Sequence, residues 1–256
     1  MSIKLTVIGC AGSFPGPDSP ASCYLLEAPF EGRTYRLLLD LGSGAFGPLQ
    51  RHCDVSDIDA VALSHLHADH CFDMSAFYVV SKYNPDGPLD RIPVLAPEGA
   101  DTFLASAYGI EEPCGMNEQF AFEPWLDGRQ SVVGPFTVLA VRVDHPVPAY
   151  AIRISTPEGS LVYSGDTGPT EALADLAAGA DLFLCEASFL EDAINPPNLH
   201  LTGAEAGDYA TRGGVGRLLV THIPAWTDRA MVEADVKSTW DGPYELVTAG
   251  STYTVG

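Results

Sequence analysis

The chain repeatedly runs from an apolar, strand-length segment straight into a histidine or an acid. Arg36 to Leu39 ends in Asp40, Val61 to Ser64 in His65, Val138 to Asp144 in His145, Leu161 to Gly165 in Asp166, Leu182 to Cys185 in Glu186, and Leu218 to Thr221 in His222. In layered α/β folds the carboxyl edge of the strands is where ligands collect, so this pattern predicts that these side chains converge on one cleft. Taken singly, each is a polar residue closing a core strand. Taken together, that reading leaves the choice of residue unexplained: of 7 histidines in the chain, all but His52 and His200 lie at these ends or in the cluster that follows Ser64.

That cluster, His65-Leu66-His67-Ala68-Asp69-His70, is the strongest local signal. His65 and His67 alternate, so on an extended or tightly looped backbone both can face one metal, while Asp69 and His70 project towards a second position. A helical HExxH site would space its histidines by four, which this segment does not. Imidazole and carboxylate donors suit zinc, and paired metals roughly 3.5 to 4 Å apart can clamp both the attacking and the leaving oxygens of a hydrolysis.

Further apolar runs of strand length occur at Ile3 to Ile8, Tyr24 to Leu26, Tyr35 to Leu39, Ile92 to Ala96, Phe136 to Val143 and Ala149 to Ile154. Helical patterns fall at Phe72 to Lys82, Ala100 to Tyr108, Thr170 to Ala178, Ala204 to Thr211 and Arg229 to Ser238, the last with Thr227 or Asp228 as N-cap. Strands crowd into roughly 1 to 96 and 131 to 185, which suits two sheets packed face to face with helices outside. We read the 256 residues as one domain. The Gly-rich turn Gly9 to Gly16 is a weak candidate for offering N–H groups to a phosphate, since such turns are more often only turns.

In full, HxHxDH after a strand resembles the signature of the metallo-β-lactamase superfamily, and Asp40, His145, Asp166 (within Tyr163-Ser164-Gly165-Asp166-Thr167) and His222 follow the same order. The resemblance runs from Ile3 to about Trp226. It implies a four-layer αββα sandwich with two mixed sheets. It also implies one zinc held by His65, His67 and His145, a second by Asp69, His70 and His222, and Asp166 as the bridge; manganese or iron would suit the same donors. Asp40 would orient a ligand imidazole, and Asp69 would act at the reacting centre. True β-lactamases of this fold carry Cys where this chain has Asp166, and flavin-linked diiron relatives carry an acid where His67 stands, so neither activity is expected.

Two segments are similar to ribonuclease Z: Leu184-Cys185-Glu186-Ala187-Ser188, resembling its Glu-Ala-Thr motif, and His200-Leu201-Thr202-Gly203-Ala204-Glu205-Ala206, resembling its His-Ser-Thr segment. By that likeness Glu186 and His200 form a relay in which the histidine protonates a leaving group. No Gly- and Lys-rich insertion resembles that enzyme's tRNA-clasping arm. Gly16-Pro17-Asp18-Ser19-Pro20-Ala21-Ser22 and Asp166-Thr167-Gly168 are closest to bacterial cyclic nucleotide phosphodiesterases of this fold.

Composition narrows the partners. With 13 Lys+Arg against 34 Asp+Glu, the net charge of −21 works against binding polyanions, whose affinity rests on basic side chains displacing counterions. A small phosphodiester is therefore the expected substrate and a large nucleic acid is not, with an RNA 3′-processing nuclease and a non-catalytic metal scaffold as the competing readings. The 6 cysteines show no paired CxxC spacing and read as reduced and mostly buried. The opening strand, without a basic region and long apolar stretch, predicts a cytoplasmic protein with no membrane partner. Oligomeric state is left open, a homodimer included.

Overall fold

The computed structural model describes residues 2–111 and 114–256. Numbered in chain order, the strands are β1 (Ile3–Gly9), β2 (Cys23–Phe30), β3 (Arg33–Leu39), β4 (Ala60–Ala62), β5 (Ile92–Ala96), β6 (Phe120–Pro124), β7 (Gln130–Val133), β8 (Phe136–Arg142), β9 (Tyr150–Thr156), β10 (Gly159–Tyr163), β11 (Leu182–Glu186), β12 (Leu218–Thr221), β13 (Tyr244–Leu246) and β14 (Thr252–Val255). They form two seven-stranded mixed sheets, ordered β14-β1-β2-β3-β4-β5-β6 and β13-β12-β11-β10-β9-β8-β7.

Burial on both faces explains why the strands read as continuous apolar runs. In β3, Leu37 and Leu39 pack between the sheets with Phe136, Ile152, Ile154 and Leu184. Leu38 points the other way, into a second core with Leu25, Val61, Phe77 and Leu104, where α1 (Phe46–Leu49), α3 (Met74–Tyr83) and α4 (Ala100–Tyr108) cover the first sheet. On the far side, α5 (Glu171–Ala177), α6 (Gly203–Gly213) and α7 (Arg229–Thr239) lay Leu173, Tyr209, Val232 and Val236 on Val162, Phe183 and Leu218 of the second sheet. The layers are thus helix, sheet, sheet, helix, as the resemblance implied.

Strand direction brings the site together. β3 and β4 are parallel, so Asp40 and His65 leave the first sheet at one edge. β10, β11 and β12 are parallel, and β8 shares their direction because both β8 and β10 run antiparallel to β9. The second sheet therefore delivers His145, Asp166, Glu186 and His222 at a common edge.

Four strands were not read from sequence: β6, β7, β13 and β14. They are the outermost strands of the two sheets, where one side of the ladder faces no partner and the apolar pattern is diluted. The short helices α1 and α2 (Ala68–Cys71), each 4 residues, are single turns that no periodicity can mark. The last helix starts as expected, with Asp228 capping it by accepting from the Ala230 N–H. Of the 6 cysteines, Cys10, Cys23, Cys71 and Cys185 are buried, Cys114 is exposed and Cys53 lies between. Among the described residues no helix is long and apolar enough to cross a membrane.

Candidate metal centre

The residues after β4 build half of the centre. His65 is fully buried, His67 stands in extended conformation as the N-cap of α2, and that single turn carries Asp69 and His70 inward. Asp40 and His222 both adopt the left-handed region, with φ of 58° and 56°, a strained choice that turns each side chain sharply off its strand end.

The predicted residues gather into two groups. His65, His67 and His145 form one, and Asp69, His70, Asp166 and His222 the other, with the donor atoms of each group within 4.8 Å of one another. In the first, His67 Nδ1 lies 3.1 Å from His65 Nε2 and 3.2 Å from His145 Nε2. In the second, His70 Nε2 and His222 Nε2 are 3.2 Å apart, and Asp69 Oδ2 lies 3.3 and 3.1 Å from them. Asp166 reaches both groups: Oδ1 is 3.2 Å from His70 Nε2, and Oδ2 is 3.4 Å from His222 Nε2 and 3.7 Å from His65 Nε2.

These residues fit divalent metals. Donors held 2.0 to 2.1 Å from a tetrahedral ion sit about 3.3 Å apart, close to the spacings here. Asp166 Oδ1 is buried yet receives no hydrogen bond, the state of a carboxylate oxygen whose partner is a cation. Burial, reinforced by His70, holds His65 well below the usual imidazole range, so its ring is neutral and offers a lone pair. Burial also lowers His67 and His145. Burial alone would discharge His70, but the carboxylates of Asp166, Asp40 and Asp69 outweigh it and raise this ring well above its usual range in the metal-free protein. The pocket of negative charge calls for a cation, and a metal would take the place of that proton.

Hydrogen bonds from around the centre fix the rings of His70, His145 and His222. Asp40, fully buried, accepts from the Ser64 N–H at 2.7 Å, the Ser64 hydroxyl at 2.8 Å, the Tyr163 hydroxyl at 2.8 Å and His70 Nδ1 at 2.7 Å. His145 Nδ1 donates to the Leu199 carbonyl at 2.9 Å, and His222 Nδ1 meets the Ser188 hydroxyl at 2.8 Å. Such bonds fix which nitrogen of the ring faces the centre. The Ser188 hydroxyl in turn lies 3.0 Å from Glu186 Oε2. Glu186, also fully buried, accepts from the Thr167 N–H at 2.7 Å and holds His200 Nδ1 3.1 Å from each of its oxygens. Burial pulls His200 down, but Glu186 more than offsets it and the ring is pushed up to about 9. His200 Nδ1 is 3.8 Å from Asp166 Oδ2, which sets the relay beside the centre.

Sequence reasoning assigned no role to Ser64, Tyr163, Ser188 or Leu199. Ser64, Tyr163 and Ser188 lay inside or beside the quoted motifs, so proximity to a ligand was the available signal; the Leu199 carbonyl had none. In the turn Gly9 to Gly16 the commoner reading holds: the N–H groups of Ala11, Gly12 and Gly16 donate to the carbonyls of Pro20, Ile223 and Ser19, and that of Cys10 to the Ser19 hydroxyl. The turn packs the fold and has few free donors for a phosphate.

Residues 35–223 match the Beta-lactamase superfamily domain. An uncharacterised protein of Mycobacterium leprae is 45% identical over 262 residues, covering 100% of this chain and 89% of that one. The probable metallo-hydrolase YhfI of Bacillus subtilis is 28% identical over 257 residues, and its crystal structure superposes with a TM-score of 0.86 over 99% of both chains at 26% identity. A ribonuclease Z of Mycobacterium bovis is 28% identical over 250 residues, 87% of each chain.

Proposed function

Because this chain belongs to the beta-lactamase superfamily, we propose that it is a two-metal phosphodiesterase for small substrates, opening a 3′,5′-cyclic nucleotide such as cAMP to the 5′-monophosphate. The observation that carries this reading is the Glu186–His200 pair set 3.8 Å from Asp166. An alkoxide leaving group needs a proton, and a histidine held between a buried carboxylate and a metal-ligating aspartate is placed to give one.

His65, His67 and His145 would hold one divalent ion, Asp69, His70 and His222 the other, with Asp166 between them; zinc suits this donor set, and manganese or iron is compatible with it. Bound there, two such ions supply a water of pKa near 7 and neutralise phosphate charge. Asp40 fixes His70, Leu199 fixes His145 and Ser188 fixes His222, so each ring presents one defined nitrogen. As water attacks phosphorus and the bond to the ribose 3′ oxygen breaks, His200 passes its proton to that oxygen. Glu186 keeps the ring oriented and supports its charge.

Turnover of cAMP, a tRNA precursor and bis(p-nitrophenyl) phosphate by the zinc-loaded protein tests the reading. The expected result is a kcat/KM on cAMP or a related cyclic nucleotide far above that on the tRNA precursor. The reverse order would establish the nuclease, and no turnover of any of the three would establish a scaffold.

A further inference from the structure

Two loops flank the second ligand group, one between β1 and β2 and one after β12, and they interlock. Gly12 lies so close to His222 that an added Cβ would stand 2.3 Å from its carbonyl oxygen, and a Cβ at Gly16 would stand 2.9 Å from that of Ala225. On the same two loops the Phe14 and Trp226 rings meet, with centroids 4.5 Å apart and planes tilted by 40°. Trp226 is 75% exposed, although Trp125 and Trp240 are drawn into or against the core. Leaving so large an apolar ring in water forgoes burial energy and invites an occupant.

The position of the pair says which occupant. The Ser13 backbone nitrogen lies 3.3 Å from His222 Nε2, and Phe14 follows Ser13 by one 3.8 Å Cα step, so its ring leaves the chain next to the residue that touches the candidate ligand ring. Neither the segment Gly12 to Ser19 nor His222 to Asp228 contains a Lys or Arg, and the guanidinium of Arg229 is engaged by the carbonyls of Leu246 and Val247. A chain of net charge −21 therefore has no cationic side chain on these loops to grip an anionic substrate. An aromatic surface binds without charge, through the π-face that every nucleobase presents. Because the loops are locked together by the close approaches at Gly12 and Gly16, the surface is formed before the ligand arrives, which lowers the ordering cost of binding.

We propose that Phe14 and Trp226 form a stacking platform for the base of a nucleotide whose phosphate lies at the metal centre. This rests on the phosphodiesterase reading for the nucleotide's identity, but its test is independent of turnover. Calorimetry on the purified protein would compare 5′-AMP with ribose 5-phosphate, which differ only in the base. Stacking is worth roughly 1 to 3 kcal/mol per base, so AMP should bind about 5- to 150-fold tighter to the wild type. Trp226→Ala should erase most of that advantage, and Trp226→Phe should restore much of it. As Trp226 is exposed, these variants are expected to fold, which circular dichroism would verify. Equal affinities in the wild type, or an AMP advantage untouched in Trp226→Ala, would overturn the platform. A wild type that opens no cyclic nucleotide yet keeps a Trp226-dependent preference for AMP would instead overturn the substrate reading and leave the platform standing.

Discussion

Different work is proposed for His200, 3.8 Å from Asp166, and for Asp40, 2.7 Å from His70, and substitutions should separate them. p-Nitrophenolate leaves without a proton whereas the ribose 3′ oxygen does not, so His200→Ala should lose roughly 10²-fold or more on a cyclic nucleotide and much less on bis(p-nitrophenyl) phosphate, with metal content unchanged. Glu186→Gln should show the same selectivity more mildly. Equal losses on both substrates would give His200 a binding or folding role. Asp40 gathers four donors and touches His70, so Asp40→Asn should weaken metal binding by about 10- to 100-fold, read by chelator competition. An unchanged affinity would show that the His70 ring is fixed by packing alone.

Elements place these residues, and the start of α6 shows how. Thr202, two residues after His200, accepts from the Glu205 N–H, while Glu205 accepts from the Thr202 N–H, a reciprocal cap that satisfies two donors at the helix start. Thr202→Ala should lower stability by about 1 kcal/mol in denaturant unfolding, and no measurable change would mean that the cap is redundant. The sequence Thr202-Gly203-Ala204-Glu205 carries this capping pattern in plain form, yet the helix was read as starting at Ala204, one residue late. The inner strands and the seven residues that gather into the two donor groups were legible because burial on both faces produces long apolar runs and because a set of candidate donors leaves a spaced motif. Edge strands were not: β7, with Val132 80% exposed, turns much of its surface to water, and β14 pairs with β1 from the opposite end of the chain. The supports of Asp40 and His145 were illegible for the same reason: Tyr163 lies 123 residues from Asp40, and Leu199 lies 54 from His145.

At the scale of the molecule, the first sheet side brings His65, His67, Asp69 and His70, and the second brings His145, Asp166 and His222, so bound metal would join the two halves. Ligands that bind only the folded state stabilise it, by about 2.7 kcal/mol at a hundredfold excess over the dissociation constant, so EDTA should lower the thermal midpoint by several degrees. An unmoved midpoint would show that metal adds nothing to the join. Asp166 is proposed to unite two metal positions in one centre. Elemental analysis of the wild type and Asp166→Ala tests it most directly: about two ions per chain are expected in the wild type, with weakened occupancy of both positions in the variant, whereas a single ion in the wild type with full occupancy retained in Asp166→Ala would contradict it.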